Sequence, residues 1–213
     1  MAQGRSHAAV RIYGLAGLLG ASAFVASLVV LHLTRTDVDW TRHYVSDFVN
    51  GRLGGLFVAG TLAHGAGNLG LILGLRQSLD PGPLRGWAAF FFGLAVAGIV
   101  VAAIFPIEAA GRPPTAVGLI HRVTTIASFP LELGALFLFS AAFGRDPRWR
   151  RRQAVSLALS AVATAAMAGF FLAAFLHRLP GLAERLALAG FLAWEVWASA
   201  ELARAAAGVG GAR

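Results

Sequence analysis

The 213-residue chain contains no cysteine, which excludes structural disulfides, thiolate-held zinc, iron–sulfur clusters and a thiol nucleophile, and says nothing about redox compartment. Lysine is missing as well, since all 18 basic residues are arginine. No Schiff base can form on such a chain, and a retinal photoreceptor is excluded with it. Charge is scarce: 13% of residues are charged, 57% are hydrophobic and the mean hydropathy is +0.69. That is too little charge to cover the surface of a water-soluble domain. The net charge of +8 does not signal a nucleic-acid partner, because the arginines lie scattered between apolar runs and form no continuous basic face.

Long apolar runs are what the sequence has in abundance. Six can be read: Ala9 to Leu33, Leu53 to Leu75, Gly86 to Phe105, Gly118 to Phe143, Ala154 to Leu176 and Ala183 to Ala206. Each is long enough to cross ~30 Å of hydrocarbon at ~1.5 Å per residue. Breakers fall between them at Asp80-Pro81-Gly82-Pro83, Pro106, Pro113-Pro114, Asp146-Pro147 and Pro180-Gly181. The expected fold class is all-α: one integral membrane bundle of about six transmembrane helices over residues 1–213, with sequential helices as antiparallel neighbours. The short segment Met1 to His7 carries no A-x-A cleavage site, so a retained first helix is expected and not a cleaved signal peptide. Gly60, Ala63, Gly67, Gly70 and Gly74 in the second run signal close helix packing. The second and fourth loops share Asp-Pro followed by arginine, a faint hint of a hairpin repeat.

Arginine placement gives an orientation. Eleven of the 18 fall on one side: Arg5, Arg11, Arg76, Arg85, Arg145, Arg148, Arg150, Arg151, Arg152, Arg204 and Arg213. The positive-inside rule then puts both termini in the cytoplasm, in a multi-pass protein of a prokaryotic inner membrane. Trp149, within the cluster Arg145 to Arg152, reads as an interfacial anchor, and the cluster as a contact for anionic membrane lipids.

With that orientation, Asp37, Asp39, Asp47, Glu108 and Glu184 gather at the non-cytoplasmic end, joined by His43, His121 and His177 and by Arg42, Arg112, Arg122 and Arg185. Convergence from three loops is what a site needs. The richest stretch runs Asp39-Trp40-Thr41-Arg42-His43-Tyr44-Val45-Ser46-Asp47, with Trp40 and Tyr44 as interfacial aromatics on an interfacial or re-entrant turn, or on a loop merely resting on headgroups. Deeper, ~17 to 21 Å from the helix ends, His64, Asn68, Glu132 and Glu195 must face the bundle interior. They form either a proton or ligand path or a buried His–Glu bond that fixes packing. Glu201 beside Arg204 reads as an ordinary surface pair, and His7, His32 and His43 as incidental interfacial residues.

The first-loop run, together with Phe105-Pro106-Ile107-Glu108, Gly118-Leu119-Ile120-His121 and Gly181-Leu182-Ala183-Glu184-Arg185, resembles the membrane family known as domain of unknown function 998. The resemblance covers most of the chain and implies the same helical membrane fold and the same choice of residues. Where that family tends to read Ser-Glu and Phe-Pro-Asp, this chain has Ser46-Asp47 and Phe105-Pro106-Ile107-Glu108. A Ser-Asp pair near the first loop with histidines at later helix ends is also similar in kind to the alkaline ceramidase and adiponectin-receptor-like membrane hydrolases, although their His-x-x-x-His pair is absent here.

Two classes of function follow. The first is an enzyme acting on a lipid or lipid-linked substrate at the extracytoplasmic face. Ser46, Asp47, Glu108, His121 and Glu184 would be its catalytic groups, Arg42, Arg112 and Arg185 its headgroup clamp, and His64, Glu132 and Glu195 its deeper substrate contacts. His121 and His177, with a carboxylate, would hold zinc; the competing account is a Glu184, Arg185, Arg42 and Asp47 charge network that locks helix ends. The second class is a small carrier using the His64, Glu132 and Glu195 path, or a structural partner of another membrane protein. A haem between His121 and His177 is a further reading.

Overall fold

In hydrocarbon every backbone N–H and C=O must find its partner within the chain, and helices meet that demand segment by segment. The computed structural model describes residues 2–109 and 111–207 and is all-α, with six long helices. They are α1 (Ala2–Thr34), α2 (Gly54–Ser78), α3 (Pro83–Ile104), α4 (Ala116–Arg145), α5 (Gln153–Phe175) and α6 (Pro180–Ala207). All six are long and apolar enough to cross a membrane. Arg213 and the side chain of Arg5, both used in reading the orientation, lie outside the described residues, as does Met1.

Each helix packs on its neighbour in sequence and α6 closes on α1, so the bundle is a ring. Small residues decide how tightly that ring closes. A Cβ placed on Gly67 of α2 would sit 2.9 Å from the Cα of Gly20 in α1, so the two backbones touch with nothing between them. Gly70 faces Ala16 in the same way, and Gly190 of α6 faces Ala163 of α5. At one end of the bundle Phe143, Trp194 and Trp149 stack; at the other, a smaller group of Phe24, Leu31, Val45, Phe48 and Phe57 joins loop 1 to α1 and α2.

The ends differ from expectation in two places. Trp149 is not an interfacial anchor: it is 2% exposed, and its indole N–H donates to Ser78 Oγ at 2.8 Å. The two Asp-Pro loops interlock there, since Arg148 bridges Asp80 at 2.7 Å and Asp146 at 2.8 Å. Burial alone would raise the Asp146 carboxyl, and hydrogen bonds from Arg148 and from the backbone of Asp80 bring it below its ordinary range. Tyr44 is likewise half-buried, edge-on to Phe170 at 6.1 Å, whereas Trp40 remains exposed.

Replacing Gly67 by alanine would force backbone apart and is expected to destabilise the bundle by about 1–3 kcal/mol. The melting temperature of detergent-solubilised protein measures it, with Gly93→Ala, where a Cβ meets nothing within 4 Å, as the control that melts no lower than the parent.

Candidate functional site

Three helices carry a polar stripe. On α2 the residues are Phe57, Thr61, His64 and Asn68; on α4 they are His121, Thr125, Phe129 and Glu132; on α6 they are Glu184, Leu188, Phe191 and Glu195. Steps of three and four residues keep each set on one helix face, and the ring turns all three faces inward. They enclose a cavity of ≈ 90 Å³ that reaches from Val45 and Ser46 of loop 1 to His64 and Glu132. Helices α1 and α3 complete its wall with Phe24, Ile99, Ala102 and Ala103. The volume exceeds that of several waters, at ~10–15 Å³ of such space each.

At the deep end His64 Nε2 meets Glu195 Oε2 at 2.6 Å, and Asn68 Nδ2 donates to Glu195 Oε1 at 2.5 Å. The His64 ring stacks on Phe24 with centroids 5.0 Å apart. Glu132 lies beside Glu195, is 3% exposed, and its Oε1 has no hydrogen-bond partner. The buried His–Glu bond expected from sequence is therefore present, and the carboxyl group of Glu132 is hydrogen-bonded to Glu195 beside it while leaving Oε1 without a partner.

At the shallow end His121 is 5% exposed, and its Nδ1 lies 2.8 Å from the carbonyl of Ala102 and 3.0 Å from that of Phe105. Both partners are acceptors, so Nδ1 carries the proton and satisfies the carbonyls left over at the end of α3. Nε2 is then the basic nitrogen of the neutral ring. Glu184 accepts from the backbone N–H of Val45 at 2.5 Å. It makes no ion pair with Arg42 or Arg185, so the expected Glu184, Arg185, Arg42 and Asp47 network is corrected: carboxylate-to-backbone bonds lock these ends.

The remaining acids and arginines of this end build the loops. Asp47 Oδ2 accepts from the N–H of Tyr44 at 2.8 Å, starting the 3-10 turn Val45–Val49, while burial pushes the Asp47 carboxyl up. Glu108 receives the Oγ1 of Thr115 at 2.7 Å, its backbone N–H, and Arg122 at 2.8 Å. A side chain at Gly118 would occupy the space of that carboxylate, and one at Gly181 would strike the carbonyls of His43 and Trp40. The glycines in both motifs thus permit loops 1 and 3 to close down. Arg185 donates to His32 Nε2 at 2.8 Å and to the carbonyls of His43 and Gly181. His32, whose Nδ1 bonds Leu28 O at 2.7 Å, is a structural acceptor and not an incidental residue. Arg35, unremarked in the sequence, is 6% exposed and ties Asp37 to the carbonyls of Arg52 and Phe48.

Of the residues singled out from sequence, the cavity gathers Ser46, His64, His121, Glu132 and Glu184, with Glu195 directly behind. Arg42 and Arg112 are exposed, and Arg42 lines a separate surface groove with His177 and Arg178. His121 and His177 are consequently not ligands of one site, since one is inside the bundle and the other on a surface turn at φ 53°. Among the described residues no three His, Asp or Glu side chains form a metal-ligand cluster. Thr61 and Thr125 were overlooked, although each stands one turn from a histidine on the same face.

The pattern of DUF998, a family of proteins of unknown function, matches residues 18–201. The chain belongs to DUF998. No curated protein and no solved structure matches it. The residues of the four stretches quoted from the sequence divide in two: Asp47, Glu108, Gly118, Gly181 and Arg185 fold the loops, while Ser46, His121 and Glu184 line the cavity.

His64→Leu leaves Glu195 without its ring partner in the interior and is expected to cost about 3–5 kcal/mol in denaturation experiments. His64→Leu/Glu195→Leu should be milder than His64→Leu alone, a non-additivity that a double-mutant cycle reads directly. Glu108 is held down to about 2 from 4.5, first by the Thr115 hydroxyl and then by its backbone N–H and Arg122. Its folded value lies below its unfolded one, so its stabilisation is complete above pH 4.5 and disappears as pH falls toward 2. Melting curves across that window should fall more steeply for the parent than for Glu108→Gln.

Proposed function

We propose that this member of DUF998 is a small proton-coupled carrier. It takes a small molecule into the cavity from the end formed by loops 1, 3 and 5, and Glu132, with the Glu195 and His64 pair, carries the proton. The observation behind this reading is Glu132, 3% exposed, on the wall of the cavity, with its carboxyl group hydrogen-bonded to the Glu195 that pairs with His64 and its Oε1 unbonded. Inside a bilayer two adjoining carboxyl groups with one oxygen unbonded are costly unless they work on a proton or a ligand. The arginine count favours placing loops 1, 3 and 5 outside the cytoplasm, with exposed Arg145, Arg150 and Arg151 on anionic headgroups of the inner leaflet.

A second reading, hydrolysis or transfer on a lipid, draws on one observation. His121, with Nδ1 held by two carbonyls and Nε2 left basic, shares the cavity with Ser46 and Glu184, the elements of a nucleophile and base. Against it, Glu108, Asp47 and Arg185 are engaged in folding the loops, and Arg42 and Arg112 lie outside the cavity.

Proteoliposomes holding the full chain and a pH-sensitive dye, challenged in turn with small amines, carboxylates and neutral solutes, separate the two. One class should drive a proton flux that Glu195→Gln and Glu132→Gln cut by about tenfold or more, while Arg112→Ala retains it. A parent protein that gives no flux with any class overturns the carrier. Turnover of a lipid extract by the parent, lost in His121→Ala and Ser46→Ala, would establish the enzyme instead.

A further inference from the structure

We propose that the ligand of this cavity is a small organic amine, bound as its ammonium cation with the nitrogen at Glu132 and an apolar body against the phenylalanines. The inference deepens the carrier reading by naming the class of molecule carried, and it rests on that reading for the passage but not for the binding.

The sign of the charge is the first ground. Of the three acids at the cavity, Glu195 has His64 and Asn68. Glu184 has the Val45 N–H, with the Arg185 guanidinium one residue on. Glu132 has no cation and no donor at Oε1. No arginine lines the cavity among the described residues. A phosphate or carboxylate would therefore meet acid without a guanidinium to hold it, whereas an ammonium supplies N–H donors and the countercharge a carboxylate needs once its proton has left.

Shape and lining are the second ground. Phe24, Phe57, Phe129 and Phe191 line the same space, and Phe129 and Phe191 stack with centroids 6.2 Å apart. Phe129 is one helical turn from Glu132, so aromatic surface adjoins the carboxylate. Aromatic faces beside an acid favour a cation that carries hydrocarbon. At ≈ 90 Å³ the cavity is smaller than the ~150 Å³ that holds a benzene ring, and suits a short alkyl arm, not a lipid headgroup.

The chemistry also supplies the coupling. One carboxylate holds either a proton or the ammonium, so entry of the cation releases one proton from Glu132 and its departure allows one to return. No covalent bond to carbon is made or broken.

Calorimetry on the full chain in lipid nanodiscs tests the assignment with n-propylamine, its neutral analogue 1-propanol and the anionic butyrate. The amine should bind saturably, and at least about tenfold more tightly than either analogue. Glu132→Gln should lose the same factor and Glu132→Asp should recover part of it. An amine that binds no better than butyrate in the unmutated protein overturns the proposal, whatever the variants do. So does undiminished binding in a Glu132→Gln protein that melts normally. Amine binding with no solute-driven proton flux would defeat the carrier reading and leave this one standing; flux driven only by carboxylates or neutral solutes would do the reverse.

Discussion

A bilayer interior offers no hydrogen bonds, and every polar atom placed there must be answered by another part of the protein. Helix formation answers the backbone. The side chains are answered only if their helices turn toward one another, and this is why His64, Asn68, Glu132 and Glu195 share one interior although they come from α2, α4 and α6. Serines elsewhere follow the same constraint: Ser140 and Ser156 bond across α4 and α5 at 2.6 Å, and Trp194 of α6 donates to Ser156 at 2.9 Å. Where the constraint is left unmet, at Glu132, the bundle also leaves space.

The two ends of the ring obey different physics. Where loops 2 and 4 meet, Arg148 holds two aspartates and Trp149 plugs the stack of Phe143 and Trp194, an arrangement that closes the bundle. Where loops 1, 3 and 5 meet, carboxylates grip backbone N–H groups: Asp47 that of Tyr44, Glu184 that of Val45 and Glu108 that of Thr115. Such charge-assisted bonds hold a loop in one conformation. Loop 1 is consequently an ordered part of the cavity wall, through Val45 and Ser46.

Much of this was legible in the residues. Six apolar runs gave six helices, with ends displaced by a few residues because proline and aspartate mark where a helix stops being favourable and not where its last hydrogen bond forms. The glycines of α2 read as packing positions and lie against Gly20 and Ala16. The site was only half legible. An acid at a loop looks the same in sequence whether it grips a backbone N–H or awaits a ligand, so Glu108 and Arg185 read like His121 and Glu184. Trp149 followed the rule for interfacial aromatics, yet burial against Phe143 and a bond to Ser78 outweighed it.

Composition and apolar run length alone determined that this chain is a multi-helix membrane protein, because the energy of placing a segment in hydrocarbon is set residue by residue. Which polar groups meet is another matter. Glu132 and Glu195 are 63 residues apart in the chain and side by side in the bundle. Only the rotation of each helix about its axis, set by packing all around the ring, could decide that Glu195 finds His64 while one oxygen of Glu132 finds no partner.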